Sequence, residues 1–169
     1  MEDVDVIAKD DYLYFAQRAL DEMAGIVAGL GDELANTRPA LPGANSPFAL
    51  LTHCVGVIDY WSGTLVAGRR SDRDRAAEFV AAGPIAPLLD EVAAVRARLA
   101  DDVREASGDA PLRAEPDRSF QGPGRGLTCG GALLHVYEEL AQHHGQMQIL
   151  RDVIRAGSTK VRAEPGAAS

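Results

Sequence analysis

Cysteine is scarce in this chain: Cys54 and Cys129 are the only two, too few for a disulfide framework. Long apolar runs are absent. Charges or glycines interrupt every candidate before the roughly 18 residues needed to cross a bilayer, and Met1-Glu-Asp-Val-Asp-Val6 lacks the basic start and apolar stretch of a secretory signal. A cytoplasmic protein without a membrane partner is therefore expected. Basic residues are outnumbered, 17 against 25 acidic, for a net charge of −8, and the arginines are scattered. That leaves no basic field for counterion release, so nucleic acid is not an expected partner. There is no Gly-rich phosphate loop, no Ser-His-Asp pattern, no Cys-x-x-Cys and no internal repeat. Aromatic residues make up only 5%, and the long segments are dominated by Ala, Leu and Val, which favours helix over strand.

What the chain does have is four amphipathic segments of helical period within a length suited to one domain, residues 1–169. The first fits residues 9–30, with Tyr12, Ala16, Ala19 or Leu20, Met23, Val27 and Leu30 in a stripe and Gly29 and Gly31 at its end. A turn-rich loop over 36–47 follows. Ser46 and Pro47 then supply an N-cap and a first-turn proline for a second helix reaching about residue 66. Its apolar face is broad, with Leu51, Cys54, Ile58, Trp61 and Leu65 in one row and Leu50, His53, Val57 and Tyr60 in the next. Residues 67–75 read as a charged surface connection. Pro84 or Pro87 opens a third helix on Leu88, Val92, Val95, Leu99 and Val103, with Asp102 outside the stripe, and Ser107-Gly108 closes it. Residues 109–126 read as a long loop, functional or mobile. Thr128 caps the fourth helix, which runs to about residue 156 before Gly157. The expected fold is all-α, a four-helix bundle.

Histidine carries the chemical information. There are only four, and the fourth helix holds three of them. Its apolar stripe runs Val136, Leu140, His143, Met147, Leu150, Ile154, so His143 takes a core position with Glu139 one turn before it. Burying an ionised group without a partner costs on the order of several kcal/mol, and a metal ion is one partner that offsets this. With His53 on the second helix, Glu139 and His143 make three N and O donors from two facing elements. Three protein ligands with an open position are the pattern of a catalytic zinc or similar divalent site. A core histidine and an ordinary helical Glu-x-x-x-His pair explain the same residues without a metal, and spacing alone does not separate the readings.

The segments Asn45-Ser-Pro-Phe-Ala-Leu-Leu-Thr-His-Cys-Val-Gly-Val-Ile-Asp-Tyr-Trp61, Asp72-Arg-Asp-Arg-Ala-Ala-Glu-Phe79 and Leu134-His-Val-Tyr-Glu-Glu-Leu-Ala-Gln-His-His-Gly-Gln-Met147, and onward to Arg151-Asp152, resemble the DinB superfamily. Within it they are similar to the actinobacterial branch of mycothiol-dependent maleylpyruvate isomerase and mycothiol S-transferases. The resemblance covers nearly the whole chain. It implies a DinB/YfiT-like bundle of up-down-down-up connectivity, commonly paired as a homodimer, with a divalent metal, zinc or else nickel, on His53, Glu139 and His143. Many superfamily members have His where Glu139 stands, and the mycothiol-linked branch has Glu, which favours mycothiol as the thiol. Where relatives have a further His this chain has Gln146, which points to a polar role behind the ligands. The isomerase has an additional C-terminal domain without a counterpart here, so the resemblance implies thiol chemistry and leaves the electrophile open.

The implied function is a metal-dependent S-transferase that activates a low-molecular-weight thiol for attack on an electrophilic small molecule. A metal-dependent hydrolase is the enzymatic rival, although no separate general base is evident. A non-catalytic metal-binding stress-response module is the other. His135 reads as a boundary or surface residue or as an alternative ligand to His53. His144 points about 100° away from His143. Cys54 reads as a small buried hydrophobe, Tyr60 and Trp61 as packing residues, and Glu138 as outward or behind the ligands. Arg69, Arg70, Arg73 and Arg75 read as a solvated surface, or as a place for a cofactor carboxylate or a substrate acid.

Overall fold

Ser46-Pro47, Pro84 and Thr128 start three of the long helices where the sequence places them. The computed structural model describes residues 7–163, so the ends of the expected domain, 1–6 and 164–169, lie outside the described residues. Helix α1 spans Lys9–Ala35. Helix α2 has an α-helical half, Pro47–Val57, that continues directly as a π-helical half, Ile58–Val66. Helix α3 is a single turn, Arg75–Glu78, α4 spans Ile85–Glu105 and α5 spans Cys129–Ala163. No strand occurs among the described residues. The Ser46 hydroxyl accepts the Ala49 N–H at 3.1 Å and Thr128 accepts that of Gly131 at 3.2 Å, each satisfying an otherwise orphaned first-turn donor.

Two helix ends differ from expectation. In α1 the chain breaks at Gly31, with φ 72°, and then resumes its helix to Ala35. That extra turn has a tertiary reason: Asp32 accepts the Ile85 N–H at 2.8 Å, and the Asn36 side chain exchanges bonds of 2.8 and 3.0 Å with the Gly83 backbone. It caps the start of α4. Helix α5 passes through Gly157, where a glycine costs about 1 kcal/mol relative to alanine and does not by itself stop a helix.

Side-chain pairs fix the directions of the long helices. Asp59 meets Arg98 and Ser62 meets Asp102, so α2 and α4 run parallel. Tyr12 reaches Leu133, Glu22 meets His144 and Arg155 reaches Gly29, so α1 and α5 run parallel. Asp21 bonds Arg96 and Lys9 bonds Arg104, which makes α1 antiparallel to α4. The connectivity is up-down-down-up, and the long stretch between residues 66 and 85 returns the chain so that α4 can lie parallel to α2.

The apolar rows read from the sequence form the core: Leu20, Met23, Leu51, Ile58, Leu99, Leu140 and Met147 are fully buried. Each such side chain contributes about 1.5–3 kcal/mol by leaving water. Asp102, expected outside the stripe of its helix, is buried as well, because Ser62 and Arg69 satisfy its carboxylate. The 109–126 loop packs over the π-helical half of α2. Arg113 donates its N–H to Leu65 O at 2.8 Å, the Asp117 N–H donates to the Tyr60 hydroxyl at 2.7 Å, and Phe120 stands edge-on to Tyr60.

Candidate metal centre

Helices α2 and α5 run antiparallel, which carries His53 to a point between Glu139 and His143. His53 Nε2 lies 3.2 Å and His143 Nε2 3.4 Å from the same oxygen, Glu139 Oε2. The two rings stand nearly perpendicular at 5.0 Å. One donor atom from each of the three residues lies within 4.8 Å of the other two. Zinc bonds of about 2.0–2.1 Å in a tetrahedron put neighbouring ligand atoms roughly 3.3 Å apart, so the two shorter separations suit a shared ion. His53 is buried, whereas the Glu139 and His143 side chains are 24% and 18% exposed. The outer side of the cluster is thereby open to a small ligand.

What lies behind the imidazoles fixes which nitrogen faces the cluster. Glu78 Oε2 is 2.8 Å from His53 Nδ1, and Gln146 Oε1 is 3.0 Å from His143 Nδ1. Both are acceptors, and at His53 Nδ1 the carboxylate is closer than the Arg73 Nη2 donor at 3.5 Å, which favours a proton on each Nδ1 and a lone pair on each Nε2 toward Glu139. Three acceptors then converge with no donor among them. In that tautomer the arrangement suits a cation at its centre, either protons on Nε2 or a metal ion. With protons there, hydrogen bonds from His143 and His53 hold the Glu139 carboxyl well below the usual carboxylate range, although burial opposes this. Burial likewise disfavours a charged His53, yet its bonds to Glu139 and Glu78 raise its pKa. Glu78 is depressed against the effect of burial by Arg73 and His53.

The remaining histidines separate clearly. His135, expected at a boundary or on the surface, is buried edge-on against Trp61 at 4.5 Å, bonds Glu138 at 3.1 Å and has Nε2 4.0 Å from Glu139 Oε1. It lies beside the cluster. His144 points elsewhere and pairs with Glu22 at 3.0 Å. Gln146 sits behind a ligand candidate, as anticipated. Cys54 is buried with its sulfur 3.9 Å from that of Met23, and burial pushes its thiol pKa up. Burial also raises that of Cys129.

The arginine segment is not uniformly solvated. Arg70 is exposed, but the Arg73 side chain is only 4% exposed, donating to Glu78 at 2.7 and 2.9 Å. Arg69 bonds Asp102, and Arg75 lies over the ring of Phe79, which itself stacks on His53. Sequence reasoning missed Glu78, because α3 is a single turn that starts where the charged connection over 67–75 ends and is too short to show a helical period. One signal was present: Gly56 stands inside α2, three residues after His53, and a Cβ there would lie 2.0 Å from Glu78 Oε1. A glycine in a helix interior marks a close approach.

Comparisons with known proteins agree with this architecture. The family described as Mycothiol-S-transferase matches residues 12–156. No curated protein matches the sequence. Among solved structures, one described as the conserved protein of locus from Enterococcus faecalis superposes with a TM-score of 0.66 at 16% identity, covering 90% of this chain and 99% of its own. That likeness concerns the fold alone.

Proposed function

Because the chain belongs to the mycothiol S-transferase family, and so to a family of transferase enzymes, we propose that it is a divalent-metal-dependent S-transferase using mycothiol as its thiol. The observation that carries the metal requirement is the convergence of His53 Nε2, His143 Nε2 and Glu139 Oε2 as three acceptors without a donor. A divalent ion held there, zinc or else nickel, would supply Lewis acidity that lowers the pKa of a thiol. Two neutral imidazoles and one carboxylate leave such a site one positive charge in excess, which suits an anionic sulfur.

The protein's own residues favour a thiol brought from outside. Cys54 and Cys129 are buried with raised thiol pKa values, so neither is an activated nucleophile. Glu139 and the two imidazoles would hold the ion, and Phe79 and Trp61 cover the inner side of His53 and His135 against water. A cleft of about 740 Å³ at the 109–126 loop, bordered by Leu112, Arg118, Leu127 and Trp61, the ring that packs on His135, gives room for a small molecule. The electrophile is a small molecule whose carbon accepts the sulfur. We place the enzyme in the cytoplasm, where low-molecular-weight thiols stay reduced; no described helix is long and apolar enough to cross a membrane. The exposed rings of Tyr14 and Phe15 and the exposed Leu134 offer an apolar face for a homodimer.

The test begins with elemental analysis of protein purified without a metal-affinity column, expected to find about one divalent ion per chain, and near none in His143→Ala. Conjugation of an electrophile panel is then followed with and without mycothiol. Thiol-dependent turnover lost on chelation is expected. Unchanged metal content in His143→Ala overturns the ligand set, and turnover without thiol favours the hydrolase.

A further inference from the structure

Behind His53 lies a pair of buried charged groups that the proposed reaction does not use directly. Arg73 donates Nε–H and Nη2–H to the two oxygens of Glu78, and Glu78 Oε2 accepts from His53 Nδ1. We propose that the Arg73–Glu78 pair is a positioning device for His53, fixing its ring with Nε2 toward Glu139 and setting how tightly the site takes a divalent cation. This rests on the metal reading above.

Three features make the pair expensive for a packing role alone. A buried ion pair is seldom more stabilising than apolar residues of the same volume. Arg73 Nη1 is buried with no hydrogen-bond partner among the described residues, which is unfavourable for a charged donor. Helix α2 carries a glycine in its interior, Gly56, whose absent side chain leaves the space that Glu78 fills: a Cβ there would lie 2.0 Å from Oε1 and 2.7 Å from Cδ. The pair meets the cluster at one atom, His53 Nδ1, 2.8 Å from Glu78 Oε2. The other imidazole is treated differently, since its Nδ1 partner, Gln146, is a neutral amide from its own helix. A carboxylate partner fixes ring orientation and makes the opposite nitrogen a better ligand, and loss of such partners typically weakens metal binding about 10–100-fold. His53 is thus the imidazole whose donor strength is set by charge.

Glu78→Gln removes the charge and keeps an acceptor. Gly56→Ala keeps every polar group and displaces the carboxylate by contact, so it carries the test even if Glu78→Gln folds poorly. Gly63→Ala, a similar change in the same helix beside Arg69, is the control. Each variant, with circular dichroism as the folding check, is titrated with Co²⁺ for its visible absorption spectrum and with Zn²⁺ against a chromophoric chelator. We expect roughly 10–100-fold weaker Zn²⁺ binding and an altered Co²⁺ spectrum for Glu78→Gln and Gly56→Ala, and wild-type behaviour for Gly63→Ala. Wild-type affinity and spectrum in both test variants overturn the positioning role while leaving the metal site standing. A wild-type protein that takes neither ion overturns the proposed function together with it.

Discussion

Helix α2 meets two buried carboxylates, and they are built alike. Glu78 is held by Arg73 beside Gly56, and Asp102 is held by Arg69 beside Gly63, where a Cβ would come 2.5 Å from Arg69 Nη2. In each case a glycine removes a side chain from the helix so that a guanidinium–carboxylate pair can lie against its backbone. The difference is what else the carboxylate touches. Asp102 accepts from the Ser62 hydroxyl at 2.8 Å and joins α2 to the parallel α4, a closed structural clasp. Glu78 accepts from an imidazole whose other nitrogen faces Glu139. One packing device therefore serves two places along the helix, and only the one at Gly56, beside His53, is connected to chemistry.

Removing the Asp102 carboxylate breaks this comparison most sharply. Asp102→Ala strands the fully buried Ser62 hydroxyl and unpairs Arg69, whose side chain is 39% exposed and can return to water. A loss of about 2 kcal/mol of unfolding free energy is expected in urea titrations, with the metal content of the purified protein unchanged. A drop in metal content would show that the two places along α2 are not independent.

Acidity sharpens it next, because only the Glu78 place contains a histidine between carboxylates. In metal-free protein, His53 has a raised pKa, so its contribution to stability is complete below the ordinary value of 6.5 and is lost as pH rises through the folded-state value. Glu139 and Glu78 have lowered pKa values, so theirs is complete above the ordinary 4.5 and lost as pH falls through the folded-state values. The cluster stabilises the chelated protein most between about pH 4.5 and 6.5. Urea midpoints across pH should show this rise in the wild type and in Asp102→Ala, and His53→Ala should flatten it. A profile of the same shape in His53→Ala would refute the assignment.

The two places were unequally legible in the sequence. The Ser46-Pro47 start and the apolar rows of α2 and α5 were legible because caps and the helical period are local, and they carry His53 to the face that meets Glu139 and His143. Glu78 and Asp102 were not, since the burial of each depends on an arginine that reads as solvated in a charged segment and on a pairing fixed only by the tertiary fold. The π-helical half of α2 was hidden for another reason: seven of its nine residues, including Tyr60, Trp61 and Ser62, are buried. A face that broad fits either helical period. His135 was misjudged because the ring that buries it, Trp61, belongs to the other helix.

The smallest expected effect is the most selective. Gly63→Ala introduces a methyl group where Arg69 now lies, but that guanidinium is the far end of a flexible, partly exposed side chain and can move outward. The ion pair, shifted but still bonded, loses a few tenths of a kcal/mol to about 1 kcal/mol, while alanine in place of glycine in a helix gains up to about 1 kcal/mol. The two nearly cancel. Unfolding free energy within about 0.5 kcal/mol of wild type is therefore expected, measured by urea titration beside Gly56→Ala. At Gly56 the obstructing group is a carboxylate held by both Arg73 and His53, neither side chain more than 4% exposed, so outward movement is blocked. Gly56→Ala should be the less stable of the two. Equal stabilities would mean that Glu78 yields as easily as Arg69, and that the burial of the Arg73–Glu78 pair does not hold it in place.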